Sequence, residues 1–205
     1  MPLSALCLRL LKESPNVTVV GLARRPIPID HANFCGLVCD ISKAAEIDQT
    51  VSLLQSKFPG RRVSVLVNNA GHAKPLPLLS DATLVESGTV KPESLEKASE
   101  IYRSMLDTNV LGLTLSTRAF SQLMDHSQCG NIVNINSMSG HRVVQSVNTH
   151  FYSATKYAVT ALTEGTRQEL RRLNSKVRAN QISPGFVDTE FFGAVSQETL
   201  SITVQ

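Results

Sequence analysis

Asn131-Ile-Val-Asn-Ile-Asn-Ser137-Met-Ser-Gly140, followed by Tyr152-Ser-Ala-Thr-Lys156, is the stretch that decides the fold. The first part reads as a β-strand that runs into a Ser-rich turn closed by glycine. The second opens a helix, Tyr152–Leu173. A hydroxyl at the carboxyl end of a parallel strand lies on the rim where such sheets bind ligands. Positions i and i+4 share one face of a helix, so the Tyr152 phenol and the Lys156 ammonium can enter one cleft. A free phenol, with a pKa near ~10, is a poor base at neutral pH. A nearby cation favours phenolate, which makes tyrosine a usable proton carrier. A bare Tyr-x-x-x-Lys pattern also fits a plain surface helix, so its neighbours must decide.

Outward from that stretch, short apolar runs alternate with helical ones. Strands are expected at Val17–Leu22, Phe34–Cys39, Val63–Val67, Asn131–Ile135 and Val177–Ile182. Helices are expected from Leu3 to Lys12, Lys43 to Phe58, Glu93 to Asp107 and Val110 to His126. Asp40-Ile-Ser42 is placed to cap the second of these, with Ile47, Val51 and Leu54 on its inner face. Strands apolar on both faces and separated by helices predict an α/β fold, a doubly wound parallel sheet flanked by helices. Residues 1–205 read as one domain. Asp81–Glu96 is polar and punctuated by Pro and Gly, which predicts a surface excursion.

Composition narrows the function classes. A net charge of +3, with Arg24-Arg25 and Arg61-Arg62 as isolated doublets, argues against a nucleic-acid partner. No apolar run is long enough to span a bilayer, and the start lacks a signal peptide's pattern, so a cytoplasmic protein is expected. Cys35 and Cys39 have the wrong spacing for a redox or zinc pair. They are expected, with Cys7 and Cys129, to be buried small hydrophobes. His72, His141 and His150 have no second ligand at metal spacing and read as loop or rim residues, and no metal site is expected. Phe191-Phe192 reads as a lid or core contact.

Two further loops fall on the same rim as Ser137. They are Asn68-Asn-Ala-Gly71 after the third strand and Ser183-Pro-Gly-Phe-Val-Asp-Thr189 after the last strand. With Asn109 and Tyr152-x-x-x-Lys156, in this order along the chain, they resemble the signature of the short-chain dehydrogenase/reductase family from Val17 to about Phe192. Asn136–Arg142 and His150–Glu164 resemble one branch of it, whose arthropod members are often described as farnesol dehydrogenases.

The resemblance implies a Rossmann-like fold and a Ser-Tyr-Lys-Asn site. Tyr152 would exchange a proton with the substrate oxygen and Ser137 would hydrogen-bond that oxygen. Lys156 would lower the tyrosine pKa and hold the nicotinamide ribose, and Asn109 would hold a water linking Lys156 to solvent. Ser139, 13 positions before Tyr152, has the commoner family spacing. Ser137, three before Gly140, fits the turn and is preferred. Asp40 and Ile41 would flank the adenine, while Asn68 and the backbone of Val187–Thr189 would close over the rest of the cofactor. Dinucleotide folds place an acid after the second strand for the ribose hydroxyl of NAD, or a cation for the 2′-phosphate of NADP. Here Ala23 is followed by Arg24 and Arg25, with no acid before Asp30, so NADP(H) is expected.

The substrate expected is a small hydrophobic alcohol or its carbonyl, whether a steroid, an isoprenoid such as farnesol, or an α-dicarbonyl. An intact form would be a homodimer or homotetramer. The family's first strand and Gly-rich turn have no counterpart before Leu3, and the end falls soon after Thr189, so a truncated chain is expected. The missing strand would lie between Val17–Leu22 and Val63–Val67. Two readings stay open from sequence: an oxidoreductase, or an impaired family member acting as a non-enzymatic binding or oligomer partner.

Overall fold

The protein is described by a computed structural model, which covers residues 3–79, 94–145 and 147–185. Helix α1 spans Leu3–Glu13 and is followed by strands β1 (Val19–Ala23) and β2 (Phe34–Val38). Helix α2 (Ala44–Lys57) leads to β3 (Val65–Asn68). Helix α3 (Leu95–Leu106) passes through a wider π-helical turn, Asp107–Gly112, into α4 (Leu113–Ser121). Strand β4 (Gly130–Ile135), helix α5 (His150–Arg172) and β5 (Val177–Ile182) complete the order.

Every strand pair is parallel, but the strands form two sheets, β1-β2 and β3-β4-β5. The split falls between β1 and β3, where the sequence pattern leaves room for a central strand. Among the described residues no strand occupies that slot. A cavity of about 900 Å³ lies there instead, lined from β1, β3, α1, α2 and α4.

The side-chain period of two along a strand decides which helix covers which face. In β1, Val19 packs with Cys7 and Leu11 of α1, whereas Val20 and Leu22 pack with Ile47, Leu54 and Phe120 of α2 and α4. Helices therefore cover both faces, as a doubly wound fold requires. The three-stranded half has its own core, in which Ile132 of β4 and Ala179 of β5 meet Leu170 of α5.

Three expectations need correction. The stretch read as two helices, Glu93–Asp107 and Val110–His126, is one continuous helical run from Leu95 to Ser121. It contains no proline, and its single glycine, Gly112, is used for close packing. A Cβ there would lie 2.8 Å from the Ile41 carbonyl oxygen. The Asp40–Ser42 segment does not cap α2: the cap position is Lys43, which makes no side-chain capping bond. The Asp40 carboxylate instead accepts from the Ser42 N–H and hydroxyl, and Glu46 reaches back to accept from the Asp40 N–H. Cys7, Cys35 and Cys39 are buried as expected, but Cys129 is exposed.

Most of Asp81–Glu96 and all of Phe186–Gln205, including Phe191 and Phe192, lie outside the described residues. No described helix is long and apolar enough to cross a membrane.

Candidate active site

Strand β4 and helix α5 run past each other with matched contacts. Ile132, Asn134 and Asn136 point to one face, each 4% exposed or less. Ile132 meets Leu170, the Asn134 Nδ2 donates to Thr163 Oγ1 at 2.9 Å, and the Asn136 Nδ2 donates to Thr160 Oγ1 at 2.9 Å. Below these, the Asn68 Nδ2 donates to Asn134 Oδ1 and to Thr117 Oγ1, both at 2.8 Å, tying β3 to β4 and α4. Buried amides in a sheet are costly unless paired, and these pairings fix the register of α5 on the sheet.

That register delivers Tyr152 and Lys156 to the end of β4. Lys156 Nζ donates to the Ile135 carbonyl at 2.9 Å and stands 5.8 Å from the Tyr152 ring centre. The Tyr152 phenol hydrogen-bonds the side chain of Ser137. Ser139 contributes differently, since its N–H donates to Ser137 Oγ at 3.1 Å and it stays buried in the turn. Ser137 is therefore the serine that meets the phenol.

The electrostatics differ from the expectation that Lys156 lowers the tyrosine pKa. Burial pushes the Tyr152 phenol up to about 12, against a smaller downward pull from the Ser137 hydrogen bond. Burial pushes Lys156 down, from 10.5 to about 8. Both groups are 6% exposed or less, and desolvation penalises the charged form of each. At neutral pH the pair is a neutral phenol beside an ammonium.

Asn109 lies in the π-helical turn and is 1% exposed. Its Oδ1 accepts from the His72 N–H and its Nδ2 donates to the His72 carbonyl, both at 2.9 Å. The same Nδ2 donates to Thr155 Oγ1 at 3.1 Å, one residue before Lys156. Gly71 completes the wall: a Cβ there would come 3.2 Å from Asn109 Oδ1 and 3.8 Å from Lys156 Nζ. Ser137, Tyr152, Lys156 and Asn109 thus converge. Asn109 is anchored by contacts that the sequence did not reveal, above all with the main chain of His72. That histidine is half-buried, Nε2 lies 3.0 Å from the Ser104 carbonyl, and burial lowers its pKa.

Arg24, Arg25, Asp40, Ile41 and Asn68 all line the cavity between β1 and β3, which reaches Gly71 at the inner wall. The two arginines are exposed, just past the end of β1. The Asp40 carboxyl feels burial, which raises its pKa. Hydrogen bonds from Ser42 and the charges of Arg24 and Lys43 outweigh this and hold it below the usual range. Volume, guanidinium pair and open backbone edges fit a dinucleotide. Val187 and Thr189, the remaining sequence candidates, lie outside the described residues.

The family model described as "short chain dehydrogenase" matches residues 4–200. The chain belongs to that family. Among characterised short-chain dehydrogenases, it is 46% identical over 155 residues to human "Dehydrogenase/reductase SDR family member 11", covering 75% of this chain and 53% of that protein. It is 40% identical over 185 residues to the "Farnesol dehydrogenase" of Aedes aegypti, covering 85% and 69%. The chain thus spans about half the length of the family member 11 proteins that it matches. Among solved short-chain dehydrogenases, one from Burkholderia cenocepacia in complex with NADP superposes with a TM-score of 0.71. It is 27% identical and covers 95% of this chain and 71% of that one. Another, from Burkholderia phymatum in complex with NAD, gives 0.62 at 25% identity, over 78% and 50%.

Proposed function

We propose that the chain carries the reaction centre of an NADP(H)-dependent oxidoreductase that interconverts a hydrophobic alcohol and its ketone or aldehyde. The observation that carries this reading is the meeting of the Tyr152 phenol with Ser137, beside Lys156, at the carboxyl end of a parallel strand. Steroids, farnesol-like isoprenoids and dicarbonyls share the chemistry this centre needs, a polarisable oxygen on an apolar frame.

A nicotinamide held in the cavity beside Arg24, Arg25 and Asp40 would supply hydride-transfer chemistry at the substrate carbon. The protein's part concerns the oxygen. Ser137 donates a hydrogen bond to it, and Tyr152 transfers the proton. A buried phenol held neutral at pH 7 is ready to give that proton, so the resting site suits carbonyl reduction. As negative charge develops on the phenol oxygen, the Lys156 ammonium stabilises it in a site screened from water. The Ile135 carbonyl and the Asn109–Thr155 contact hold the lysine's helix turn in place. Arg24 and Arg25 are the cations that would select the 2′-phosphate of NADP over the bare ribose of NAD.

Ligand binding to the folded state alone must stabilise it, by about 2.7 kcal/mol at a hundredfold excess over Kd. NADPH is therefore expected to raise the melting temperature of the 205-residue chain, and NADH to raise it less. If neither dinucleotide shifts the transition at millimolar concentration, the oxidoreductase reading of this chain fails.

A further inference from the structure

Asn136 precedes Ser137 directly and is 4% exposed, yet the proton transfer above makes no use of it. Its main-chain N–H donates to the Ile182 carbonyl at 2.8 Å, at the end of β5. Its side-chain Nδ2 donates to Thr160 Oγ1 at 2.9 Å and to Gln181 Oε1 at 3.0 Å. Thr160 in turn donates to the Gly140 carbonyl at 3.0 Å. A single amide thus links β4, β5 and α5 to the turn that holds Ser137.

Donor and acceptor roles explain why this side chain is an amide. The Thr160 hydroxyl has one proton, which the Gly140 carbonyl at 3.0 Å shares with the more distant Lys156 carbonyl at 3.4 Å, so Thr160 can only accept from Asn136. Gln181 presents its carbonyl oxygen. Both partners therefore need a donor, and only an NH₂ group supplies two at this reach. The Asn136 Oδ1 is buried and has no hydrogen-bond partner among the described residues. It is pressed instead against Gly140, where an added Cβ would lie 2.7 Å from Oδ1, from Nδ2 and from the Lys156 carbonyl. The space between the turn and the amide thus admits a glycine and nothing larger.

We propose that Asn136 is a positioning residue: through Thr160, Gln181 and Gly140 it fixes the Ser137–Gly140 turn, and so sets where the Ser137 hydroxyl stands relative to the Tyr152 phenol. This rests on the reaction assigned to Ser137 and Tyr152. An aspartate at this position has no donor when ionised. It draws the Thr160 proton away from Gly140 and releases the turn. Protonated, it regains one donor and restores part of the link. A misplacement on the order of 1 Å costs roughly a hundredfold in rate.

The test compares wild type with Asn136→Ala, Asn136→Asp and Gly140→Ala, using NADPH and a hydrophobic ketone below each variant's melting temperature. The expected result is a ten- to hundredfold fall in kcat for all three, with the NADPH-induced thermal shift kept. For Asn136→Asp alone, kcat relative to wild type is expected to recover several-fold between pH 8 and pH 5.5. A merely structural role would lower the melting temperature without that pH-dependent recovery. An Asn136→Ala protein with kcat within twofold of wild type, or an Asn136→Asp ratio flat with pH, overturns the proposal. Crystal structures of wild type and Asn136→Ala form a second arm, independent of turnover. The Ser137–Tyr152 hydrogen bond should be present in the first and lost in the second, and an unmoved turn overturns the proposal. If wild type neither binds NADPH nor turns over, the reaction reading has failed and the crystallographic arm alone decides the role of Asn136.

Discussion

The two halves of the sheet solve different problems with different materials. In the three-stranded half, β4 is paired on both sides and stitched to α5 by a column of buried amides and hydroxyls. In the two-stranded half, among the described residues β1 is paired only with β2, and its other edge opens into the 900 Å³ cavity. The half proposed to move a proton is held by buried side-chain hydrogen bonds. The half that would hold a cofactor offers backbone edges and two exposed arginines. On that proposal, chemistry that depends on ångström placement falls in the half whose central strand is paired on both sides.

Truncating a leucine in each half sharpens the contrast. Leu170 on α5 and Leu11 on α1 are similarly buried, at 6% and 4% exposure. Leu→Ala in a closed core costs about 3–5 kcal/mol, and less where the surroundings can collapse. Leu170→Ala is expected near the top of that range, and Leu11→Ala, whose helix borders the cavity, at about 2–3 kcal/mol. Denaturant melts of the two variants measure the difference, and equal losses would break the comparison.

The next effect is electrostatic. Lys156 has a folded pKa of about 8 against an ordinary 10.5, so between those values the unfolded chain holds the proton and the folded chain does not. Stability should therefore rise with pH across that window, by roughly 3 kcal/mol at most. Tyr152 has the opposite sense: its folded pKa of about 12 lies above 10, so its contribution is lost as pH climbs past 10. In Lys156→Met the slope between pH 8 and 10 should lose its rising part and turn downward, because burial also raises the Cys7 and Cys39 thiols and their contribution falls with pH there. An unchanged slope in that variant would place the titration elsewhere.

The smallest effect belongs to the open half. Replacing Arg24 or Arg25 by alanine is expected to lower the NADPH-to-NADH affinity ratio about tenfold each, as loss of a charge-assisted bond worth about 1.5 kcal/mol would. Titration calorimetry with both dinucleotides reads this directly. A ratio that stays constant would remove the arginines from cofactor selection.

Much of this was legible in residue patterns, and the misses share a cause. Strand β5 runs from Val177 to Ile182 as read, and α5 begins two residues before the expected Tyr152. The rim sequences after β3 and β4 do converge on Tyr152 and Lys156. What escaped depends on partners remote in sequence. Asn134 and Asn136 look like blemishes in an apolar strand until Thr163 and Thr160 of α5 are brought beside them. The alternation of Asn134 and Asn136 with apolar residues was the available signal. The continuity of α3 and α4 escaped because Asp107-Thr-Asn109 looks like a break. Asn109 instead folds its amide onto the His72 main chain, across 37 residues. The direction of the Tyr152 pKa shift also differed, because a motif records which charges are near but not how much water has been removed.

Single-turnover oxidation of bound NADPH by a hydrophobic ketone, followed at 340 nm in wild type and Tyr152→Phe, tests the centre most directly. The variant should bind NADPH with an undiminished thermal shift and react roughly 10²–10⁴ times more slowly, the range for losing a positioned proton donor. A Tyr152→Phe protein that reacts within a few-fold of wild type would mean that the substrate oxygen takes its proton from somewhere else.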